Sequence, residues 1–490
     1  MHFEDSSLID IDKVVHVSAK AFESYRKTSL KDRRQLLRTI AGCLQENSSS
    51  LIAVAMRETH LPEGRLQNEL GRTIFQLESY GAACEAGVWL DASLDLFTGA
   101  TPAKPDIRKT MISLGPVVVF GSSNFPFAYS TAGGDTASAL AAGCTVIVKA
   151  HPAHPETSSL AAEAIASALL KCGMDPGVFQ HVHGASYSVG EALVKHPLVK
   201  AVGFTGSFSG GKQLFDWAAH RKEPIPVFAE MGSVNPVFLL PEKLHTDNAA
   251  IASQIAASFT LGVGQFCTKP GLIFGVEGEA LQSFIHDLGK AVLHTHPATM
   301  LHQGIADNFM SKREAALLEE DVHLVAESSL AALEGQGQPT VATIDANTWL
   351  SNPLLHEEIF GPFTMVVRCN DYAQLVEVAK SLEGQLTVTV FGSTKELTAS
   401  PQLLELLQAR CGRFILNGVP TGVEVCKSMQ HGGPFPATTD PRFGAVGADA
   451  IKRFARPLSF QNCPDELLPL ELQESNPLKI PRTINGQLVS

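Results

Sequence analysis

Apolar positions in the first ninety residues recur at helical spacing. In SLKDRRQLLRTIAGCLQEN, Leu36, Leu37, Ile40 and Leu44 fall on one stripe, behind a Ser29 placed to cap the helix and an Asp32 in its first turn. LPEGRLQNELGRTIFQLESYGAA sets Leu66, Leu70, Ile74 and Leu77 on a second stripe. From residue 112 the period changes. Short β-branched runs alternate with alanine-rich helices, the pattern of parallel βαβ units. Strands are predicted at Val117–Phe120, Thr145–Val148, Val178–Val182, Ala201–Phe204 and Pro226–Ala229. Between them fall a helix ending near Gly143, one over Thr157–Lys171 that stops at Gly173, and one over Val189–Lys195 with Ser188 and Glu191 as a capping box. A doubly wound sheet of this kind receives ligands at the carboxyl ends of its strands. After Glu230 the alternation restarts with PVFLL, a helix around Asp247–Leu261, a cysteine-bearing loop and the apolar strand GLIFGV, which reads as a second α/β domain. The proline-rich residues 464–490 predict an extended tail packed on a neighbouring surface.

The chain's 490 residues suffice for about three domains. Hydrophobic residues make up 44% and charged residues 18%, without a long polar tract, so the chain is globular. The net charge of -12 argues against a nucleic-acid partner, which needs a basic face. Nine cysteines without CxxC spacing predict free thiols in a reducing compartment. The acidic start MHFEDSSLIDIDKVV has no apolar signal core, and no stretch approaches the roughly 18 apolar residues that span a bilayer. These readings predict a cytoplasmic protein with no membrane partner.

Three residues stand where chemistry is plausible. Cys267, in GVGQFCTKPG, lies in a loop that its glycines and proline must bend sharply, and a loop displays a thiol better than a helix core does. A cysteine is more often a small buried hydrophobe, and a nucleophilic one needs a base or a positive environment. Glu230 closes a strand in VFAEMG, facing a crevice where a carboxylate can take a proton from water or thiol; the plainer reading is a salt-bridged glutamate. Asn124, in GSSNFPFA, follows a strand and precedes a helix expected to hold Pro126 in its first turn; its amide suits either an oxyanion or an ordinary helix cap.

Asn124 before Phe-Pro, Phe-Thr-Gly-Ser at 204–207, Glu230 before Met-Gly, the Cys267 loop and Glu-Glu-Ile-Phe-Gly-Pro at 357–362 stand in the order found in the aldehyde dehydrogenase superfamily, which the chain resembles over nearly its whole length. SMQHGGPFPATTDPRFGAVG and IKRFARPLSFQNCP are most similar to the bacterial branch holding 2-oxoglutarate semialdehyde and NADP-dependent fatty aldehyde dehydrogenases. The resemblance implies an α/β fold. A Rossmann-type cofactor domain would cover 1–94 and 114–230, a catalytic domain 231–452, and an oligomerisation arm and tail 95–113 and 453–490. It implies a homodimer or homotetramer, no metal, and NAD(P)-dependent oxidation of an aldehyde to an acid through a cysteine thioester, with 2-oxoglutarate semialdehyde as the substrate. Fatty or medium-chain aldehydes and a thioester passed to coenzyme A are the alternatives; a catalytically silent relative would be expected to lack Cys267 or Asn124.

By the same resemblance Cys267 is the nucleophile, Asn124 and the Cys267 N–H hold the oxyanion, and Glu230 activates the hydrolytic water. Lys149 falls at the adenosine ribose, Gly206 and Ser207 at the pyrophosphate, and Glu358 and Phe360 near the nicotinamide ribose. Read alone, these are a surface lysine, a turn glycine and a core phenylalanine. No GxGxxG follows a strand. Arg72, with Phe75 as an apolar neighbour, lies on a helix that lines the substrate tunnel in relatives and is the candidate partner for a substrate carboxylate. Many NAD-preferring relatives carry a glutamate where this chain has Pro152, so NADP is expected as cofactor, with NAD as the alternative. His151 and His154 flank that position and are expected to be solvated.

Overall fold

The computed structural model describes residues 3–96 and 104–489. Four helices open the chain: α1 (Leu8–Tyr25), α2 (Leu30–Glu46), α3 (Ser48–Thr59) and α4 (Glu63–Ala86). The Ser29 hydroxyl accepts the Asp32 N–H, and the Asp32 carboxylate accepts the Ser29 N–H in return, so α2 begins on a closed capping box. Leu36, Leu37, Ile40 and Leu44 are buried below it.

Strands β1 (Ser93–Asp95) and β2 (Ile107–Ser113) start an outlying sheet. Then β3 (Val117–Phe120), β4 (Val146–Lys149), β5 (Phe179–Val182), β6 (Ala201–Thr205) and β7 (Val227–Glu230) alternate with α5 (Gly134–Ala142), α6 (Pro155–Lys171), α7 (Tyr187–Lys195) and α8 (Phe208–Ala219). They form a five-stranded, wholly parallel sheet of order β5-β4-β3-β6-β7. β3 is buried along its whole length, which is why it reads as a continuous apolar run. In a parallel sheet every carboxyl end lies on one edge, so Asn124, Lys149, Gly206, Ser207 and Glu230, each on or just after a strand end, are gathered along one rim.

A second sheet follows, from β8 (Val237–Leu239), β9 (Leu272–Val276), β11 (His323–Glu327), β13 (Thr340–Asp345), β14 (Phe363–Cys369), β15 (Gln385–Phe391) and β16 (Cys411–Leu416), with β10 (Ala298–Thr299) and β12 (Gln336–Gly337) as a separate two-stranded ladder. Its order is β11-β13-β14-β9-β8-β15-β16, and only β11 runs antiparallel. Helix α9 (Pro241–Thr260) begins before the expected Asp247, which instead marks a break in helical geometry inside it.

Three expectations are corrected. The helix after Asn124 begins at Gly134, not Pro126, because the Phe127 and Ala128 N–H groups are taken by the buried Glu69 of α4. Helix α7 is capped at Ser186 rather than Ser188; Asp5 accepts the Ala185 and Ser186 N–H groups and fixes the entry two residues earlier. The tail is not merely extended. β18 (Arg482–Ile484) and β19 (Gln487–Val489) form a hairpin that joins the outlying sheet in the order β17-β2-β1-β18-β19, where β17 is Ala455–Gln461. Residues 97–103 of the expected arm lie outside the described residues.

Candidate active site

The Cys267 loop is built from strained and crowded backbone. Gly262, Val263 and Gly264 all have positive φ, and Val263 does so as a β-branched residue. A side chain at Gly264 would meet the Gly361 carbonyl at 2.3 Å, so the loop passes directly against the Glu357–Pro362 segment. Fully buried Asn235 donates to the Cys267 carbonyl at 2.8 Å and the Lys269 carbonyl at 3.0 Å. Lys269, also buried, donates to the Ile359 and Phe363 carbonyls at 3.0 and 2.9 Å. These bonds seat the cysteine on the second sheet and lock Glu358 beside it.

Cys267 is half-buried. Its Sγ lies 3.7 Å from His431 Nε2, and His431 Nε2 lies 3.1 Å from Glu230 Oε1. His431 and Glu230 are 2% and 3% exposed, and both carboxylate oxygens are buried without an aligned donor. A buried, unsatisfied carboxylate is costly, and such groups are kept where chemistry uses them. Burial, then the charge of Glu230, holds the Cys267 thiol well above its ordinary range, while Arg72 pulls it down. Cys267 therefore rests as a thiol, with the His431 imidazole 3.7 Å away and the Glu230 carboxylate close enough to act on it directly.

His431 was not singled out from sequence. Gly432 and Gly433 behind it were the available signal: a side chain on Gly433 would meet the Gln385 carbonyl at 2.1 Å, so only glycine lets this segment thread between the ends of the second sheet. The same segment is zipped to β7, with the Met231 N–H donating to the Ala437 carbonyl and the Thr439 N–H to the Ala229 carbonyl. That pairing sets His431 against Glu230.

Asn124 is not a helix cap. Its amide donates to the Gln265 carbonyl at 3.1 Å, two residues before Cys267, which ties it to the cysteine loop and leaves one N–H of the amide for another acceptor. Arg65 fixes the loop from below, donating to the Asn124 carbonyl at 3.1 Å and pairing with Glu69 at 2.6 Å. Among the described residues no acceptor takes the Cys267 N–H.

Arg72 is half-buried and donates to the Tyr129 hydroxyl at 3.0 Å; its Nε has no partner. Phe75, three residues beyond Arg72 and about 60° from it around α4, is 53% exposed, turned away from the buried stripe of Leu70, Thr73 and Leu77. The apolar wall near Arg72 is formed by Tyr129, Phe125 and Phe266 instead. Across the site Arg413, missed in the sequence, holds the Gly422 and Pro420 carbonyls and leaves its Nε without a partner. Both guanidiniums are close enough for their charges to act on the Cys267 thiol and the Tyr129 hydroxyl.

Along the rim of the first sheet, Lys149 ends β4 half-buried, its ammonium drawn down to about 8 by burial while Asp5 opposes. Gly206 donates to the Glu230 carbonyl, and a side chain there would strike the Phe204 ring at 2.5 Å. Ser207 caps α8 by accepting the Gly210 N–H, leaving first-turn N–H groups pointing along the rim. Pro152 is exposed. His154 is shut off from solvent, against expectation, while His151 is half-buried. Burial lowers the pKa of both, and His154, fully buried, is bonded to the Ser122 carbonyl at 2.7 Å, so neither offers a phosphate a positive charge. Burial pushes the Glu358 carboxyl up and the neighbouring Lys269 ammonium down. A side chain at Gly232 would fall 2.9 Å from the Glu358 carboxylate, and Phe360 is half-buried beyond it.

The sequence matches the aldehyde dehydrogenase family over residues 1–435. It is 45% identical over 480 residues to alpha-ketoglutaric semialdehyde dehydrogenase 2 of Azospirillum brasilense, covering 98% of this chain and 91% of that protein. It is 43% identical over 491 residues to alpha-ketoglutaric semialdehyde dehydrogenase of Acinetobacter baylyi, covering 99% and 93%. The fold is that of 1-pyrroline-5-carboxylate dehydrogenase from Thermus, solved with bound NAD, at a TM-score of 0.79 and 22% identity over 93% of this chain and 86% of that one. With motifs, fold and full-length relatives in agreement, the chain belongs to the aldehyde dehydrogenase family.

Proposed function

We propose that this protein oxidises 2-oxoglutarate semialdehyde to 2-oxoglutarate through a thioester on Cys267, with NADP as cofactor and NAD as the alternative. The observation that carries the reading is a thiol 3.7 Å from an imidazole, which lies 3.1 Å from a buried carboxylate, opposite an amide donor fixed by the cysteine's own loop. The substrate comes from the two relatives named for it and from the two guanidiniums, which suit a 2-oxo acid end group bearing a carboxylate and a keto oxygen.

His431 receives the Cys267 proton as the sulfur attacks the aldehyde carbon, and the oxygen gathers charge under the Asn124 amide and the Cys267 N–H. The bound nicotinamide supplies a hydride acceptor. Lys149, Gly206, Ser207 with the start of α8, Glu358 and Phe360 would hold the cofactor, and Pro152 places no carboxylate against a 2′-phosphate. Glu230, with two unsatisfied oxygens, draws a proton from water and directs it onto the thioester carbonyl, releasing the acid and the free thiol. That glutamate favours hydrolysis over transfer to coenzyme A.

We assign cofactor binding to 1–94 and 114–230, catalysis to 231–452, and assembly to 95–113 and 453–490. Among the described residues β16 and β17 each pair on one side only, which supports a homodimer or homotetramer joined through strand edges. We read the protein as cytoplasmic; its nine cysteines are free, and no helix of the described residues is long and apolar enough to cross a membrane. The test is to measure NADPH and NADH formation from 2-oxoglutarate semialdehyde and from a neutral medium-chain aldehyde, with and without coenzyme A. The reading expects the oxo acid to have the higher kcat/KM without coenzyme A. A dependence on coenzyme A, or a preference for the neutral aldehyde, counts against it.

A further inference from the structure

The groups around the nucleophile also form a ligand set. Cys267 Sγ, His431 Nε2 and a Glu230 oxygen all lie within 4.8 Å of one another. A tetrahedral zinc ion bonds sulfur at about 2.3 Å and imidazole nitrogen or carboxylate oxygen at about 2.0–2.2 Å, which makes the edges between its ligands roughly 3.6 Å for sulfur to nitrogen and roughly 3.4 Å for nitrogen to oxygen. The corresponding separations are 3.7 and 3.1 Å. The two edges that meet at His431 therefore stand close to coordination geometry before any ion arrives, and the sulfur-to-carboxylate edge is within 4.8 Å.

A second observation points the same way. Both Glu230 oxygens are buried without an aligned donor, so a cation there would meet an unsatisfied negative group and displace no existing hydrogen bond from it. Thiolate and imidazole select zinc or another borderline-soft divalent ion over magnesium or calcium. Cys267 is only half-buried, so an ion can reach it from solvent and water can take the fourth position.

We propose that Cys267, His431 and Glu230 form a zinc-binding site, and that zinc reversibly holds the enzyme in a resting state by occupying its nucleophile. On binding, the S–H bond breaks, an S–Zn bond forms, and the proton leaves to solvent. No oxidant or reductant is needed. A chelator reverses the exchange. While held, the sulfur is shielded from alkylation and from aldehyde, so zinc inhibits in competition with the substrate.

Cobalt(II) reports the site directly, because a cobalt–thiolate bond adds a charge-transfer absorption in the near ultraviolet that nitrogen and oxygen ligands do not. The exposed cluster of Asp12, His16 and His196 offers no sulfur and stays silent in this readout. Reduced, chelator-washed enzyme without cofactor or substrate is titrated with cobalt and then zinc. The thiolate band should grow with cobalt, collapse on addition of zinc, and be lost in Cys267→Ala. In His431→Gln the cobalt affinity should fall about tenfold or more. Zinc should also slow iodoacetamide labelling of the Cys267 peptide, with EDTA restoring it. A band that survives Cys267→Ala, no thiolate band in the parent, or labelling unaffected by zinc would each overturn the proposal. Thermal unfolding of both variants verifies that they are folded, and because no turnover is measured, the outcome is independent of the substrate assignment.

Discussion

Replacing Arg72 with methionine keeps most of the side-chain volume and removes the charge. In the structure its guanidinium spends one N–H on the Tyr129 hydroxyl and stands 5.4 Å from the centre of that ring, with Nε unpartnered and no carboxylate in ion-pair range among the described residues. Its remaining donors are therefore available to a substrate carboxylate. A hydrogen bond to a charged group contributes about 1.5–3 kcal/mol, and every ~1.4 kcal/mol is a factor of ten, so Arg72→Met should raise KM for 2-oxoglutarate semialdehyde about ten- to a hundredfold. A neutral aldehyde of similar length should be nearly unaffected in KM. Arg72→Lys keeps the charge but not the fork and should recover only part of the loss. Arg413→Met, from the opposite wall, should act in the same direction. If both guanidiniums grip one end group, the double variant should lose less than the two single losses combined. The assay is steady-state NADPH formation with both aldehydes. An equal rise in KM for both substrates would make Arg72 structural, and no rise for either would remove the carboxylate from this part of the site.

Pro152→Glu restores a carboxylate beside the expected 2′-phosphate and should shift the kcat/KM ratio toward NAD; an unchanged ratio would place the discrimination elsewhere. Lys149 is charged below about pH 8 and loses its charge as pH rises through that value, so NADPH affinity measured by fluorescence should fall toward alkaline pH, approaching tenfold per unit until the bound lysine itself titrates. The neighbouring His151 and His183 have lowered pKa values and stay neutral in that window, so a flat profile between about pH 7 and 9.5 would exclude Lys149 from phosphate binding. Sedimentation at micromolar concentration should give a dimer or larger, and a monomer would contradict pairing through the β16 and β17 edges.

The parallel sheet was legible because its central strands are buried on both faces, and runs such as Val117–Phe120 need no context to be recognised. Ser29 and Asp32 were legible for a related reason: a capping box closes within four residues. What the sequence hid depends on groups far apart in the chain. Asp5 sets the start of α7 from 180 residues away. Glu69 draws the Asn124 loop out of helical conformation by taking the Phe127 and Ala128 N–H groups. His431 reaches Cys267 across 164 positions, which no local period reports. Arg413 sits on an edge strand whose outward and inward faces differ too little in hydropathy to reveal which way it points.

The most direct test of the central claim is mass spectrometry of the Glu230→Gln enzyme quenched in acid after mixing with NADP and 2-oxoglutarate semialdehyde. If Cys267 forms a thioester that Glu230 helps to hydrolyse, a burst of NADPH should be followed by a slow steady rate. The Cys267 peptide should then carry the mass of the aldehyde less two hydrogens. Sustained NADPH formation with that peptide unmodified, or the acyl group on another residue, would contradict covalent catalysis at Cys267.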